Sequence, residues 1–314
     1  MRLHADGLRR VGPAINQGDG GEADAPALPA RKHRHNVESV RIGMRKKITW
    51  AAFAALTLAF ATPAAAQDAL TFTAATCAQS SAAADEAGDQ AIVDAAAGDF
   101  NQRGFAALQS HLSALRSVLA HAPHCYPRIE RRGADILVRS EDAEEYLVIS
   151  SLLTSAAAAR GEQVSITMTR NTYLSAYFML VSNAVEAHRY DEAIALADAG
   201  LALQPGHQFL IMERASALIG LHRLEEAHTA LRAALDDAEL ALTLDRPRFL
   251  RNDGVVLIDL NRLDEAEAAL NESIRLQPEN PGARNELSYI AQLRAGGAQR
   301  QVEVIAPNAP RPDK

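Results

Sequence analysis

Hydrophobic positions recur along this chain with two different periods, and the changes between them mark its parts. Leu108, Leu112, Leu115 and Leu119 return every three or four residues, which predicts one amphipathic helix over residues 103–121, ended by Pro123. Between Arg131 and Arg170 the period falls to two. Ala134, Ile136 and Val138 alternate with Asp135, Leu137 and Arg139, and Val164, Ile166 and Met168 alternate with Ser165, Thr167 and Thr169, the pattern of short strands. A helix is predicted between them. Ser140 can cap it, Glu141, Asp142, Glu144 and Glu145 lie at the positive end of its dipole, and Arg160-Gly161 stops it. This reads as a small strand–helix–strand insert, the alternative being two irregular connectors. From Asn171 the helical period takes over. First helices are predicted at residues 172–187, 206–220 and 248–260, second helices at 190–204, 223–243 and 263–276, and a last, unpaired helix at 283–295.

One phrase returns at the start of each second helix: His188-Arg189-Tyr190-Asp191-Glu192-Ala193, His222-Arg223-Leu224-Glu225-Glu226-Ala227 and Asn261-Arg262-Leu263-Asp264-Glu265-Ala266. The copies begin 34 and 39 residues apart. A period near 34 belongs to stacked helix pairs. His188, His222 and Asn261 fall where the first helix must turn sharply into the second. Tyr190, Leu224 and Leu263 are bulky anchors, and Ala193, Ala227 and Ala266 are small where helices approach closely. Gln204-Pro205 and Gln277-Pro278 end the first and third units, while Glu239 stands where the second would have its proline. The missing proline coincides with five extra residues. They are predicted to lengthen the second helix of unit two, since Asp236 through Leu244 stays helix-compatible and Pro247 can start the next helix.

Residues 174–296 therefore resemble the tetratricopeptide repeat family, matched at Tyr190, Ala193, Pro205, Ala215, Leu224, Ala227, Gly254, Leu263, Ala266 and Pro278 and departing at Val181 and Glu239. The resemblance implies a mainly α fold, a right-handed superhelical stack of three helix pairs with a capping helix. It also implies a concave groove lined by the first helices. The groove residues it implies are Phe178, Ser182, Phe209, Met212, Ser216, Arg248, Arg251 and Val255, with Ser175, Val185, Glu186, Ile219, Ile258 and Asp259 beside them. That makes an apolar floor with two arginines at one side, suited to a protein or peptide segment with apolar side chains and a carboxylate. The competing reading packs Phe178, Phe209 and Met212 against the chain's own terminal segments. Some family members clamp a partner's terminal carboxylates with Lys, Asn and Arg. Here Phe178, Ser182 and Glu213 occupy three of those positions and only Arg248 suits, which speaks against that clamp.

Composition places the array in a compartment. Met44-Arg45-Lys46-Lys47, an apolar run of about 14 residues and the Ala64-Ala65-Ala66 exit are the three parts of a secretory signal peptide. The run is too short to span a bilayer, which takes roughly 18–20 residues. On this reading translation starts at Met44, residues 1–43 are untranslated or disordered, residues 44–66 are the signal peptide and residues 67–170 form an N-terminal region. Residues 171–296 are then the array and residues 297–314, with three prolines, a disordered tail. The protein is expected to be exported, periplasmic in a Gram-negative cell, with no stable membrane insertion of the mature form. Residues 1–66 hold 10 of the 32 Lys and Arg and 5 of the 39 Asp and Glu, so residues 67–314 carry 22 basic and 34 acidic side chains, a net −12. Such a charge disfavours nucleic acid as a partner. Cys77 and Cys125 both follow the cleavage site, and an even pair in an oxidising compartment points to a bridge.

Elimination argues against an enzyme. After Ala66 the only lysine is Lys314, and no nucleotide loop, nucleophile elbow or zinc-protease helix is present. His121 and His124, with Cys125 and His111 nearby, are the one constellation for a metal-dependent enzyme, but their spacing matches no known ligand set. No cofactor and no metal are expected. The functional expectation is an exported scaffold or adaptor that binds a protein or peptide in cell-envelope assembly or secretion. The alternative is a structural or homo-oligomerising subunit whose groove is self-filled.

Overall fold

The structure is a computed structural model that describes residues 8–10, 74–77, 86–140, 143–241, 243–299 and 302–304. The signal peptide and nearly all of residues 1–43 lie outside the described residues. The chain is mainly helical. Helix α1 (Glu86–Arg103) comes first, then α2 (Phe105–Leu108), a 3-10 turn (Gln109–His111) and α3 (Leu112–Ala120). A small sheet follows, made of β2 (Ile129–Arg132), β3 (Asp135–Arg139) and β4 (Ser165–Thr169), with α4 (Ala143–Ala159) between the last two. β3 runs antiparallel to β2 and parallel to β4, so β3-α4-β4 is the expected strand–helix–strand unit with one extra strand. The helix pairs are α5 (Thr172–Glu186) with α6 (Tyr190–Leu203), α7 (Gln208–Gly220) with α8 (Leu224–Asp236), and α9 (Arg246–Asp259) with α10 (Leu263–Leu276), closed by α11 (Pro281–Arg294). A short ribbon pairs β1 (Leu8–Arg10) antiparallel with β5 (Val302–Val304), in stretches read from sequence as without structure.

The three turns of the repeat are one device used three times. His188, His222 and Asn261 have φ of 55°, 56° and 59°, the left-handed region that an L side chain enters at a cost. Each time the next residue's amide reaches back past the end of the first helix. Arg189 N bonds Ala184 O, Arg223 N bonds Leu218 O and Arg262 N bonds Leu257 O, all at 2.8 Å. The turn residues bond one carbonyl further on, at Val185, Ile219 and Ile258. These bonds satisfy carbonyls the helix end would otherwise leave open. The arginine then caps the start of the next helix, and its guanidinium pairs with the glutamate three residues on, Glu192, Glu226 and Glu265. The repeated alanines Ala193, Ala227 and Ala266 are fully buried. Gly254 is equally constrained, since a Cβ there would lie 2.7 Å from Leu270 Cγ.

Three expectations are corrected. The leucine stripe does not form one helix: Gly104, at φ 70°, and the 3-10 turn break it, although Leu108 and Leu115 are buried as the stripe predicts. Residues 67–90, rich in Ala, Ser and Thr and read from sequence as a loosely held leader, are partly organised: Ala75 forms a parallel bridge with Glu130 and α1 begins at Glu86, burying Val93, Ala96 and Phe100. The second helix of unit two is not extended. It stops at Asp236 because the Asp237 carboxylate accepts from the amides of Glu239 and Leu240, a local alternative to the helix. Leu240 and Leu244 then fold back into the core instead of projecting as an overhang.

Helices α1 and α3 pack on α5 and carry the first repeat's core onward. The sheet joins this core through Tyr126, which meets Tyr173 edge to face and lies under the Arg139 guanidinium, 3.9 Å from its ring centroid. Arg139 is buried and paired with buried Glu130. Cys77 and Cys125 are bonded, Cα to Cα 5.9 Å, which ties the strand-like segment at Ala75 to the turn after α3.

Two outcomes test this construction. His222 is exposed, so His222→Gly removes left-handed strain at little packing cost and should add ~1 kcal/mol, whereas His222→Val should cost ~1–2 kcal/mol. Urea unfolding midpoints that moved together for both variants would refute the turn assignment. Replacing Cys77 and Cys125 together with serine should cost ~2–4 kcal/mol, since the bridge joins residues 48 apart in sequence. The check is denaturant unfolding compared with the oxidised wild type.

Candidate functional site

The inner helices α5, α7 and α9 gather the residues proposed for the groove, but most are not open surface. Phe178, Ser182, Met212, Ser216 and Val255 are all buried, at 8% exposure or less. Phe209, Arg248 and Arg251 are half-buried. Phe178 and Phe209 meet at 5.5 Å between ring centroids, joining α5 to α7. Asn252 Nδ2 lies 2.6 Å from Met212 Sδ, joining α7 to α9. Ser216 is not presented to a ligand, because its hydroxyl donates to Met212 O one turn back. Arg251 packs its stem beside Gly282 at the start of α11.

A polar cluster interrupts this apolar floor. Glu213 on α7 is buried between Ser182 of α5 and Arg248 of α9. Burial pushes its carboxyl up to about 7, against the Ser182 hydroxyl and the Arg248 guanidinium, which pull it down. Ser182 Oγ and Asn252 Oδ1 are buried with no hydrogen bond of good geometry among the described residues. Glu213 was legible only as an unsuitable clamp residue, and Asn252 was missed. The signal available for Asn252 was its place one turn after Arg248 on a first helix. A terminal carboxylate brought here would face the Glu213 carboxylate.

The chain returns to the stack after α11. After α11 the chain passes the end of α9, where the Gln299 side-chain amide donates to Asp259 O at 3.4 Å. The strand β5 then lies against α7. Phe178, Phe209 and Met212 are packed mainly within the cores that join neighbouring helices.

No family model matches the chain, and no curated protein matches it. Similar solved structures include the first TPR domain of the human RPAP3 protein, 25% identical over 39% of this chain and 93% of that chain, at a TM-score of 0.35. Another is the Arabidopsis OM64 TPR domain, 16% identical over 38% of this chain and 95% of that one, also at 0.35. A third is a thermophilic TPR protein of Thermus thermophilus, 16% identical over 65% of this chain and 98% of that chain, at 0.35. At TM-scores this low the fold rests on the chain's own geometry: three helix pairs closed by one repeated turn. The fold is TPR-like.

Outside the TPR-like stack, two of the histidines singled out from sequence, His121 and His111, are each held by an aspartate. His121 Nδ1 lies 2.9 Å from Asp89 Oδ1, and the Tyr173 hydroxyl approaches the same carboxylate at 3.1 Å from Oδ2. His111 Nε2 lies 2.7 Å from Asp99 Oδ2, and Cys125 is consumed by the disulfide. Among the described residues no group of three or more His, Cys, Asp and Glu could hold a metal ion, and no helix is long and apolar enough to cross a membrane. The cavity at the junction of sheet and stack, about 350 Å³ including open solvent, is lined by Arg128, Glu145, Asn171, Gln204 and His207 among others. Its amides are already used: Asn171 and Gln204 bond each other at 2.9 and 3.0 Å, and Gln204 also donates to Tyr126 O.

The Glu213 carboxyl makes the stack pH-sensitive. The unfolded group loses its proton near 4.5 and the folded one near 7, so between these values the unfolded state holds fewer protons and stability falls as pH rises. Wild-type melting temperature should therefore drop from about pH 5 to about pH 8, and Glu213→Gln should flatten the drop and melt ~2–6 °C higher at the upper end. Parallel melting curves for the two proteins would refute the assignment.

Proposed function

We propose that the chain is a scaffold that binds an extended protein segment along α5, α7 and α9, and that its own C-terminal strand holds that place at rest. This reading rests on the contact of β5 with the inner helix α7, together with the burial of Phe178, Ser182, Met212, Ser216 and Val255. A strand is a natural occupant because the floor offers apolar contacts and side-chain hydrogen-bonding groups along its length. Glu213 and Arg248 lie close enough to offset each other's charge, so a mainly apolar segment fits better than one ending in several carboxylates. The scaffold has no assigned catalytic role and no cofactor in this proposal. It belongs to an exported protein acting in envelope assembly or secretion. That part rests on the signal-peptide pattern of residues 44–66 and gains support from the Cys77–Cys125 bridge, since disulfides persist in oxidising compartments.

The test uses the full chain and a labelled peptide of residues 299–308. Val302→Pro with Val304→Pro removes two backbone donors from β5 and should free the inner face. Fluorescence anisotropy should show the peptide binding this variant at least ten times more tightly than wild type, because wild type is already occupied. Equal affinity for both proteins, or no binding to either, would overturn the reading.

A further inference from the structure

We propose that β4 is a docking edge for a second copy of this chain, the two β4 strands pairing antiparallel about Thr167. The three-stranded sheet has two edges, and they are treated differently. The β2 edge is covered, since Ala75 N donates to Ile129 O and Arg131 N donates to Ala75 O. The β4 edge carries no strand among the described residues, and Ser165, Thr167 and Met168 are exposed.

The hydrogen bonds of β4 show which groups are offered. Ser165 N bonds Ala134 O and Thr169 O accepts from Ser140 N, so the main-chain groups of Ser165, Thr167 and Thr169 face β3. By alternation those of Ile166 and Met168 face outward. One of them is engaged: the Tyr146 hydroxyl donates to Ile166 O at 3.1 Å, which leaves that carbonyl a second lone pair. Turning a second β4 about Thr167 sets Ile166 opposite Met168 of the other copy, with donors facing acceptors on both sides. Each such pair exchanges its amides and carbonyls, and Thr167 faces Thr167 in the non-hydrogen-bonded position between them.

The side chains agree with this pairing. Ser-Ile-Thr-Met-Thr reads polar, apolar, polar, apolar, polar in either direction, so Ile166 meets Met168 and the hydroxyl residues meet each other. At the ends the two-fold sets exposed Arg170 opposite Val164 of the second copy, one diagonal step from that copy's Glu162, which is already paired with its own Arg160 and Arg131. The strand also lacks every device that keeps free edges apart, having no charge, no proline and no bulge.

Thr167→Cys tests the geometry directly. A non-hydrogen-bonded antiparallel pair holds its Cα atoms about 4.5 Å apart, within the range a disulfide spans. Mild copper–phenanthroline oxidation of full-length Thr167→Cys should give a covalent dimer on a non-reducing gel. Thr154→Cys, an exposed position on α4, should stay monomeric. Sedimentation equilibrium should show reversible wild-type dimers, and Thr167→Lys, which sets two ammonium groups face to face, should raise the dimer dissociation constant at least tenfold with unchanged melting temperature. Wild-type protein that stays monomeric at ~0.5 mM, or equal cross-linking of both cysteine variants, would overturn the proposal.

Discussion

The left-handed residue between the helices of each pair decides where the other side chains of the stack fall. It closes one helix by handing the next amide back to a carbonyl of the last turn, and the arginine carrying that amide opens the following helix. With no spare residue in the connection, the phase of the second helix is tied to the phase of the first. Ala193, Ala227 and Ala266 consequently reach the interface every time and are buried without remainder. A residue inserted at this turn would rotate the second helix by roughly 100° at 3.6 residues per turn, exposing the alanine face. The five extra residues of unit two are instead placed after a second helix, where Asp237 can end it and Leu240 and Leu244 can be absorbed into the core.

Rigid outer connections leave the inner face as the place where burial is negotiable. Glu213 shows the tension there. A carboxyl buried between α5, α7 and α9 is driven toward its neutral form, with a single arginine and a serine hydroxyl opposing the shift. A floor built only for permanent burial would gain from an apolar residue at that position, because an ionised group repays its desolvation only with well-formed partners. The Asn252 Oδ1, buried without a partner among the described residues, points the same way.

The sequence was most legible where one residue type has one physical use. Helices α5, α6, α7, α9, α10 and α11 were placed to within a few residues because their stops depend on local turn chemistry. Strands β3 and β4 were placed because a strict two-residue alternation does not fit the period of a helix. Helix α1 was missed since its buried positions, Asp89, Val93, Ala96 and Phe100, include an acid and an alanine in an alanine-rich stretch where the stripe has little contrast. Strand β2 was missed because Glu130 and Arg132, which a two-residue pattern would read as solvent-facing, are joined to each other and, through Glu130, to buried Arg139. The ion pair that reconciles this pattern spans nine residues and cannot be seen as a period. The groove was legible as a set of residues. The contact of β5 with α7 was not, because it spans a sequence distance that no local pattern records.

Lysine usage links the repeat to the open edge of the sheet. After Ala66 the chain has one lysine, Lys314, so its cationic chemistry is almost entirely arginine. Arginine suits the repeat turns: at Arg223 and Arg262 two guanidinium nitrogens each find a glutamate oxygen three residues on, at 2.6–2.7 Å, a planar match an ammonium cannot reproduce. The same usage removes the residue most often placed on free strand edges to keep them apart. At β4 the nearest cation in sequence, Arg170, lies just beyond the strand and not within it. Placed there, it leaves the strand itself uncharged, with the main-chain groups of Ile166 and Met168 facing outward.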